Sequence, residues 1–94
     1  MIKRRVVCAA NLCISSGAII LGARHWDKCM VNHHNLFEIA EVDTSFDDQG
    51  FIDQHGVFMS RQEAWEVAEK AGQIVRRVGG DDADGGTLYS ENLY

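Results

Sequence analysis

The sequence of 94 residues contains no proline, and further absences exclude several classes of protein. Without proline no X-Pro bond can slow folding, and tight turns depend on the nine glycines. No segment reaches the ~20 consecutive apolar residues that a transmembrane helix needs. The apolar stretch after the basic N-terminus is interrupted by Asn11 and Ser15, which is not typical of a signal peptide. We therefore expect a cytoplasmic protein of the host cell, with no targeting segment and no membrane partner.

Basic residues are fewer than acidic residues in this sequence. Nine Lys and Arg residues stand against fourteen Asp and Glu residues, which gives a net charge of −5. A protein that coats duplex nucleic acid needs a basic surface, so we expect no duplex nucleic acid as a partner. A few well-placed arginines nevertheless suffice to hold one phosphate. A small anionic ligand is therefore compatible with this composition.

The motifs of common enzyme classes are missing. The chain has no Gly-x-Gly-x-x-Gly sequence, no phosphate-binding Gly-Lys-Ser loop and no nucleophile elbow. The three cysteines are odd in number and include no Cys-x-x-Cys pair, which favours reduced thiols. We therefore expect no catalytic residue, no metal and no cofactor.

The segments that are present predict an α+β fold in one domain over residues 1–94. It would be a small antiparallel sheet built from hairpins, with two helices packed on one side, in an oligomeric protein. The second helix has the clearest signal, because Ser60 and Glu63 form a capping box. The predicted segments are a hairpin over 5–22, a helix over 25–35, an acidic loop or edge strand over 41–49, a hairpin over 50–58, a helix over 61–71, a strand over 73–78 and a docked C-terminal tail.

Arginines next to predicted helix starts are the best candidates for ligand binding. Arg24 precedes the first helix and Arg61 opens the second, and helix N-termini attract anions through free amides and the helix dipole. Trp26, Phe51 and Phe58 lie near these arginines in sequence, so a ring could stack on a base while an arginine holds a phosphate. The plainer alternative is that Arg24 pairs with an acid and the rings fill the core.

Six short blocks, taken in order, form a pattern that extends over nearly the whole chain. The blocks are Val6-Val-Cys-Ala-Ala10, Gly22-Ala-Arg-His-Trp-Asp27 with Met30, Gln49-Gly-Phe-Ile-Asp-Gln54, Phe58-Met-Ser-Arg-Gln-Glu-Ala64, Ala71-Gly-Gln-Ile74 and Leu88-Tyr-Ser-Glu-Asn-Leu-Tyr94. Together they resemble a family of small phage proteins, whose characterised members are the Thoeris anti-defence proteins of the first type. The segment 31–48 departs from the pattern and is rich in Asn and His, which bears on pocket size and ligand choice.

The resemblance implies a binding protein that sequesters cyclic ADP-ribose isomers intact, so that the host's anti-phage effector is never activated. Some members of the family also bind cyclic trinucleotides at a second kind of site, and members assemble as dimers or hexamers. Carried onto this chain, the resemblance implies Arg24 and Arg61 for a trinucleotide, Phe51 and Arg77 for ADP-ribose, and Asp53 and Asn92 for ribose. His25, next to Arg24, completes the predicted ligand-binding residues.

Two other functions stay open from the sequence. One is a phage structural or assembly protein without a ligand, for which the apolar N-terminal hairpin would be a self-association surface. The other is a small metal-dependent nucleotide hydrolase. Its ligands would be His25, Cys29 and His33, which are spaced to share one face of a helix.

Overall fold

Four antiparallel strands and two α-helices make up the part of the protein that the structure describes. A computed structural model describes residues 3–41 and 44–94. The predicted α+β class is confirmed. No helix in these two ranges is long and apolar enough to cross a membrane. In chain order the elements are β1 (Val6–Leu12), β2 (Ile19–Gly22), α1 (Lys28–Ile39), β3 (Asp48–Asp53), β4 (Phe58–Ser60), α2 (Arg61–Lys70) and two 3₁₀ turns at Ala83–Gly85 and Ser90–Asn92.

Both predicted hairpins form, and they join into one sheet of order β2-β1-β3-β4. Ala9, Phe51 and Met59 stand side by side on adjacent strands, and all three are fully buried beneath the helices. Side chains alternate between the two faces of a strand, so the neighbours of these residues point away from the helices. On that outer face Leu21 and Phe58 are only partly buried. The core therefore lies on one side of the sheet.

Helix α1 begins three residues later than predicted. Trp26 has a φ of 57°, in the left-handed region, so the chain cannot be helical there. Asp27 is the N-cap, and its Oδ1 accepts a hydrogen bond from the Met30 amide at 2.9 Å. Of the acidic segment 41–49, Val42 and Asp43 lie outside the described residues. The rest is irregular until β3 begins at Asp48.

Helix α2 begins as predicted, with the Ser60 hydroxyl accepting from the Glu63 amide at 3.1 Å. The strand predicted over 73–78 is wrong, because that segment contains no strand. The amides of Val75 and Arg76 donate to the carbonyl oxygen of Asn92 instead. The C-terminal tail therefore takes up the hydrogen bonds that a sheet partner would have used.

Candidate ligand-binding site

Arg61, the first residue of α2, lies at the centre of a polar cluster. Its Nη1 donates to the Leu88 carbonyl at 2.8 Å, and its Nη2 donates to Gln49 Oε1 at 2.6 Å. Nη2 also lies 3.5 Å from Nδ1 of His25. All of these partners are neutral. Within residues 3–41 and 44–94 no carboxylate pairs with this guanidinium, and no partner binds its Nε.

The Arg61 guanidinium also lies against two aromatic rings. Its central carbon is 5.0 Å from the Tyr89 ring centre and 5.9 Å from that of Phe51. Burial lowers the pKa of Arg61, although the charges of Tyr89 and Glu91 act in the opposite direction. A half-buried cation held only by neutral groups remains able to bind an anion.

His25 acts as a neutral acceptor beside Arg61. Its Nε2 lies 2.7 Å from the carbonyl oxygen of Gly50, which can only accept, so Nε2 carries the proton. Burial and the charge of Arg61 both lower the pKa of His25. The unprotonated Nδ1 then faces Arg61 and, at 3.4 Å, the hydroxyl of Ser90. His25 thus helps to orient the guanidinium.

The pairing of Ser90 with His25 has the composition of a nucleophile and its base. Ser90 is only 3% exposed, however, and it lies in a 3₁₀ turn of the tail. A nucleophile must reach its substrate. In this conformation the pair serves as a fixed link between the tail and Arg61.

The C-terminal tail brings Arg24 to the same cluster. Arg24 Nη2 donates to the Tyr94 carbonyl at 2.8 Å, and Nη1 lies 3.5 Å from a carboxylate oxygen of Glu91. Glu91 is also close enough for its charge to act on His25 and Arg61. Four of the seven predicted site residues are therefore neighbours: Arg24, His25, Phe51 and Arg61. The expected alternative that Arg24 pairs with an acid also holds.

A groove of about 250 Å³ opens beside Arg61. The ring of Phe58 forms part of its wall and packs on Gly50, where an added Cβ would lie 2.7 Å from the ring. Phe51, the ring that the resemblance implies for ADP-ribose, is fully buried beneath His25. The groove is lined by Asp47, Asp48, Gln49, Phe58, Ser60, Arg61 and Gln62.

A family model described as phage T4 y16D protein matches residues 5–94, which is nearly the whole chain. The chain belongs to the phage T4 y16D family. This membership supports a phage origin, and the family description names neither a ligand nor an activity. No curated protein and no solved structure matches the chain.

In this y16D-family protein Arg77 is held by an internal acid. Its Nε and Nη2 both bind the carboxylate of Asp81 at 2.7 Å, and its guanidinium lies 5.1 Å from the Trp65 ring centre. The bond from Arg77 is the main cause of a pKa of Asp81 well below the usual range. Asn92 is fully buried and donates to the same carboxylate at 3.0 Å.

Asp53 has structural partners as well. It accepts from Arg4 Nε at 2.6 Å and from the amides of His55 and Val57 at 2.8 and 3.0 Å. Burial alone would raise the pKa of Asp53, but the Val57 amide and Arg4 together lower it to about 2. The ligand-binding roles predicted for Asp53, Arg77 and Asn92 stay predictions, and the structure places none of the three in the groove.

A larger groove, of about 490 Å³, is lined by residues outside the Arg61 cluster. Its one arginine, Arg4, is already paired with Asp53 and Glu63 at 2.6 Å each. We therefore place the candidate site at Arg61 rather than in the larger groove. The larger groove is lined by Lys3, Arg4, Val67, Lys70 and Ala71.

The histidines of the metal alternative make separate contacts. His25 binds the Gly50 carbonyl, whereas Nδ1 of His33 accepts from the Leu21 amide at 3.2 Å. Across the described part of the chain, no group of three His, Cys, Asp or Glu side chains is placed to hold a metal.

Sequence reasoning missed Gln49 and Ser90 as members of the cluster. Both belong to blocks on which the family resemblance depends, Gln49 at the start of one block and Ser90 within the last. Their place in these blocks was the feature of the sequence that could have identified them as site residues. Their contact with Arg61 and His25 depends on how the sheet, α2 and the tail meet.

Proposed function

We propose that this protein binds and sequesters small cyclic nucleotides without cleaving them, and so blocks bacterial anti-phage signalling. The proposed ligands are cyclic ADP-ribose isomers and cyclic trinucleotides. The observation that carries the proposal is the half-buried Arg61 guanidinium, whose described hydrogen-bond partners are all neutral. The resemblance to the Thoeris anti-defence proteins supplies the ligand class.

The chemistry of the Arg61 cluster suits a phosphodiester. Hydrogen bonds between a guanidinium and a phosphate are charge-assisted and stronger than those to neutral oxygens. The Gln49 and Leu88 oxygens hold the guanidinium in place before a ligand arrives, so little side-chain entropy remains to be lost on binding. The partly buried ring of Phe58 offers a surface for stacking a base.

The groove size supports a shared site. A volume of about 250 Å³ is below the ~300–1,000 Å³ typical of small-molecule pockets. A cyclic ADP-ribose isomer or a cyclic trinucleotide therefore needs walls beyond those of one protomer. We propose a homo-oligomer, a dimer or a hexamer, in which a second copy completes the pocket.

Binding without cleavage is also part of the proposal. The one serine–histidine pair of the cluster is covered, since Ser90 is 3% exposed. Sequestration needs only affinity, which a fixed guanidinium and a stacking ring supply.

Calorimetric titration followed by recovery of the ligand tests this proposal. The wild type, Arg61→Ala and the exposed-arginine control Arg5→Ala would each be titrated with cyclic ADP-ribose isomers and with cyclic tri-adenylate. We expect binding by the wild type and the control, a loss of at least about tenfold in Arg61→Ala, and intact ligand after heat release and chromatography.

The other outcomes identify the alternatives. No heat with any cyclic nucleotide would contradict sequestration and favour a structural or assembly protein. Ligand recovered in pieces would indicate a hydrolase. Size measurement by light scattering tests the oligomer, and a monomer that binds with full affinity would contradict the shared pocket.

A further inference from the structure

We propose that Asp47, Asp48 and Glu91 make the Arg61 site selective for phosphodiesters over terminal phosphates. This inference rests on the proposed function and narrows its ligand class. Each phosphate of a cyclic nucleotide is a diester and carries one negative charge. A terminal phosphate carries ~1.5–2 negative charges near pH 7, because its second pKa is about 6.

The first step is the position of the carboxylates. Asp47 and Asp48 line the groove that opens on Arg61. On the tail side, Glu91 lies 3.5 Å from Arg24, and its charge acts on Arg61. Asp47 and Asp48 thus share the groove with the guanidinium and the charge of Glu91 acts on it from the tail, and none of the three hydrogen-bonds to it in the described structure.

The second step is the local charge. Around the groove and the adjoining tail there are two guanidinium groups, Arg24 and Arg61, and three carboxylates, Asp47, Asp48 and Glu91. The local sum is two positive charges minus three negative charges, or −1. An incoming phosphate binds Arg61 directly but is repelled by the flanking acids. Each additional charge on the phosphate adds to that repulsion, which is moderate because Asp47 and Asp48 are exposed.

The third step is the consequence for function. A sequestering protein in a cell also meets mononucleotides and polyphosphates, whose terminal phosphates would compete for an isolated arginine. Like charges placed beside a binding group reject such competitors by repulsion rather than by improved contacts to the correct ligand. The acids beside Arg61 would thereby reserve the site for cyclic ligands.

The test uses two probes that differ by one charge at the phosphate, adenosine 5′-monophosphate and its 5′-O-methyl ester. Each probe competes against bound cyclic tri-adenylate or a cyclic ADP-ribose isomer, at pH 7.5 and low salt. The proteins are the wild type, the double variant Asp47→Asn/Asp48→Asn, and the matched control Glu66→Gln/Glu69→Gln on the exposed side of α2.

On the wild type and the control we expect the methyl ester to compete about three- to tenfold better than the monophosphate. In Asp47→Asn/Asp48→Asn the affinities of the two probes should differ by less than about twofold, because the monophosphate binds more tightly to this variant. Raising the salt to 0.5 M should also reduce the wild-type discrimination, because it is electrostatic.

A wild type that binds the cyclic nucleotide but treats both probes alike would overturn the selectivity and leave the proposed function standing. So would a double variant that keeps the wild-type ratio. A wild type that binds no cyclic nucleotide would overturn the proposed function and this inference with it.

Discussion

Arg61 and Arg77 show how the same side chain can have two kinds of partner in one small protein. Arg77 binds a nearly buried carboxylate, Asp81, through two nitrogens at 2.7 Å. Arg61 is half-buried, yet its described partners are a backbone carbonyl, an amide and a neutral imidazole. The charge of Arg77 is satisfied within the chain, whereas that of Arg61 is available to an anionic ligand. Sequence alone marked both as ligand-binding, and the difference lies in their partners.

The largest expected effect compares these two arginines directly. Arg61→Ala should weaken binding of the preferred cyclic nucleotide by about 1.5–3 kcal/mol, roughly 10- to 150-fold, the scale of a charge-assisted hydrogen bond. The resemblance implies an ADP-ribose role for Arg77, but because Arg77 does not line the groove we expect Arg77→Ala to change the affinity by less than about twofold. Calorimetric titration of both variants, with thermal melts to confirm folding, measures this. A greater loss of affinity in Arg77→Ala than in Arg61→Ala would assign phosphate binding to Arg77 instead.

Next in size is the contribution of Asp81 to stability. Asp81→Asn removes the charge that Arg77, the Val78 amide and Asn92 all bind, in a side chain that is almost buried. We expect the melting temperature to fall by roughly 5 °C or more, with ligand affinity per folded protein unchanged. Differential scanning calorimetry checks the first part and titration the second. An unaltered melting temperature would mean that the Arg77–Asp81 pair is not structural.

His25 should give the protein a pH-dependent stability. Its pKa is lowered in the folded state, so below the ordinary pKa of about 6.5 the unfolded chain binds more protons than the folded one. The free energy of unfolding should therefore fall on acidification from pH 7.5 to 5.5, by at most about 1.4 kcal/mol per pH unit from this group. Urea unfolding of the wild type and His25→Gln compares the slopes. If the free energy of unfolding of the variant has the same pH dependence as that of the wild type, His25 is not its cause.

The smallest effect is expected at Glu91. Its carboxylate pairs with Arg24 at 3.5 Å, and both side chains are largely exposed, so the pair adds little to stability. Glu91→Gln should leave the melting temperature within about 1 °C but tighten cyclic nucleotide binding about two- to threefold, by removing a nearby negative charge. Weaker binding would instead show that Glu91 holds Arg24 in position for the ligand.

Local signals predicted much of the fold. Both hairpins and the start of α2 depend on neighbours in sequence, such as the glycine turns and the Ser60 cap, and all three are confirmed. The predicted start of α1 was three residues too early because Trp26 has a left-handed backbone conformation. Bulky residues rarely adopt that conformation, so the sequence gives no sign of it. The prediction of a strand over 73–78 was wrong because the backbone of this segment bonds to Asn92 rather than to another strand. Asn92 lies in the C-terminal tail, and no local sequence pattern shows where that tail docks.

The candidate site was predictable only in part. Proximity to helix starts identified Arg24 and Arg61, and the structure places them in one cluster with His25. Arg77 binds the carboxylate of Asp81, whereas Arg61 binds the neutral amide of Gln49. These tertiary contacts decide which arginine lacks an acidic partner, and the spacing of residues in the sequence does not show them. Phe58 is the ring in the groove, rather than Phe51, because strand alternation points the two toward opposite faces.

The most direct test of the account is nuclear magnetic resonance of the arginine Nε–H groups during titration with the preferred cyclic nucleotide. Arg61→Lys and Arg77→Lys spectra would assign the two signals. We predict that the Arg61 signal shifts and becomes protected from exchange as its free Nε binds a phosphate oxygen, while the Arg77 signal stays in place. Saturating ligand that leaves the Arg61 signal unmoved, or moves that of Arg77 instead, would contradict the assignment of Arg61 as the phosphate-binding residue.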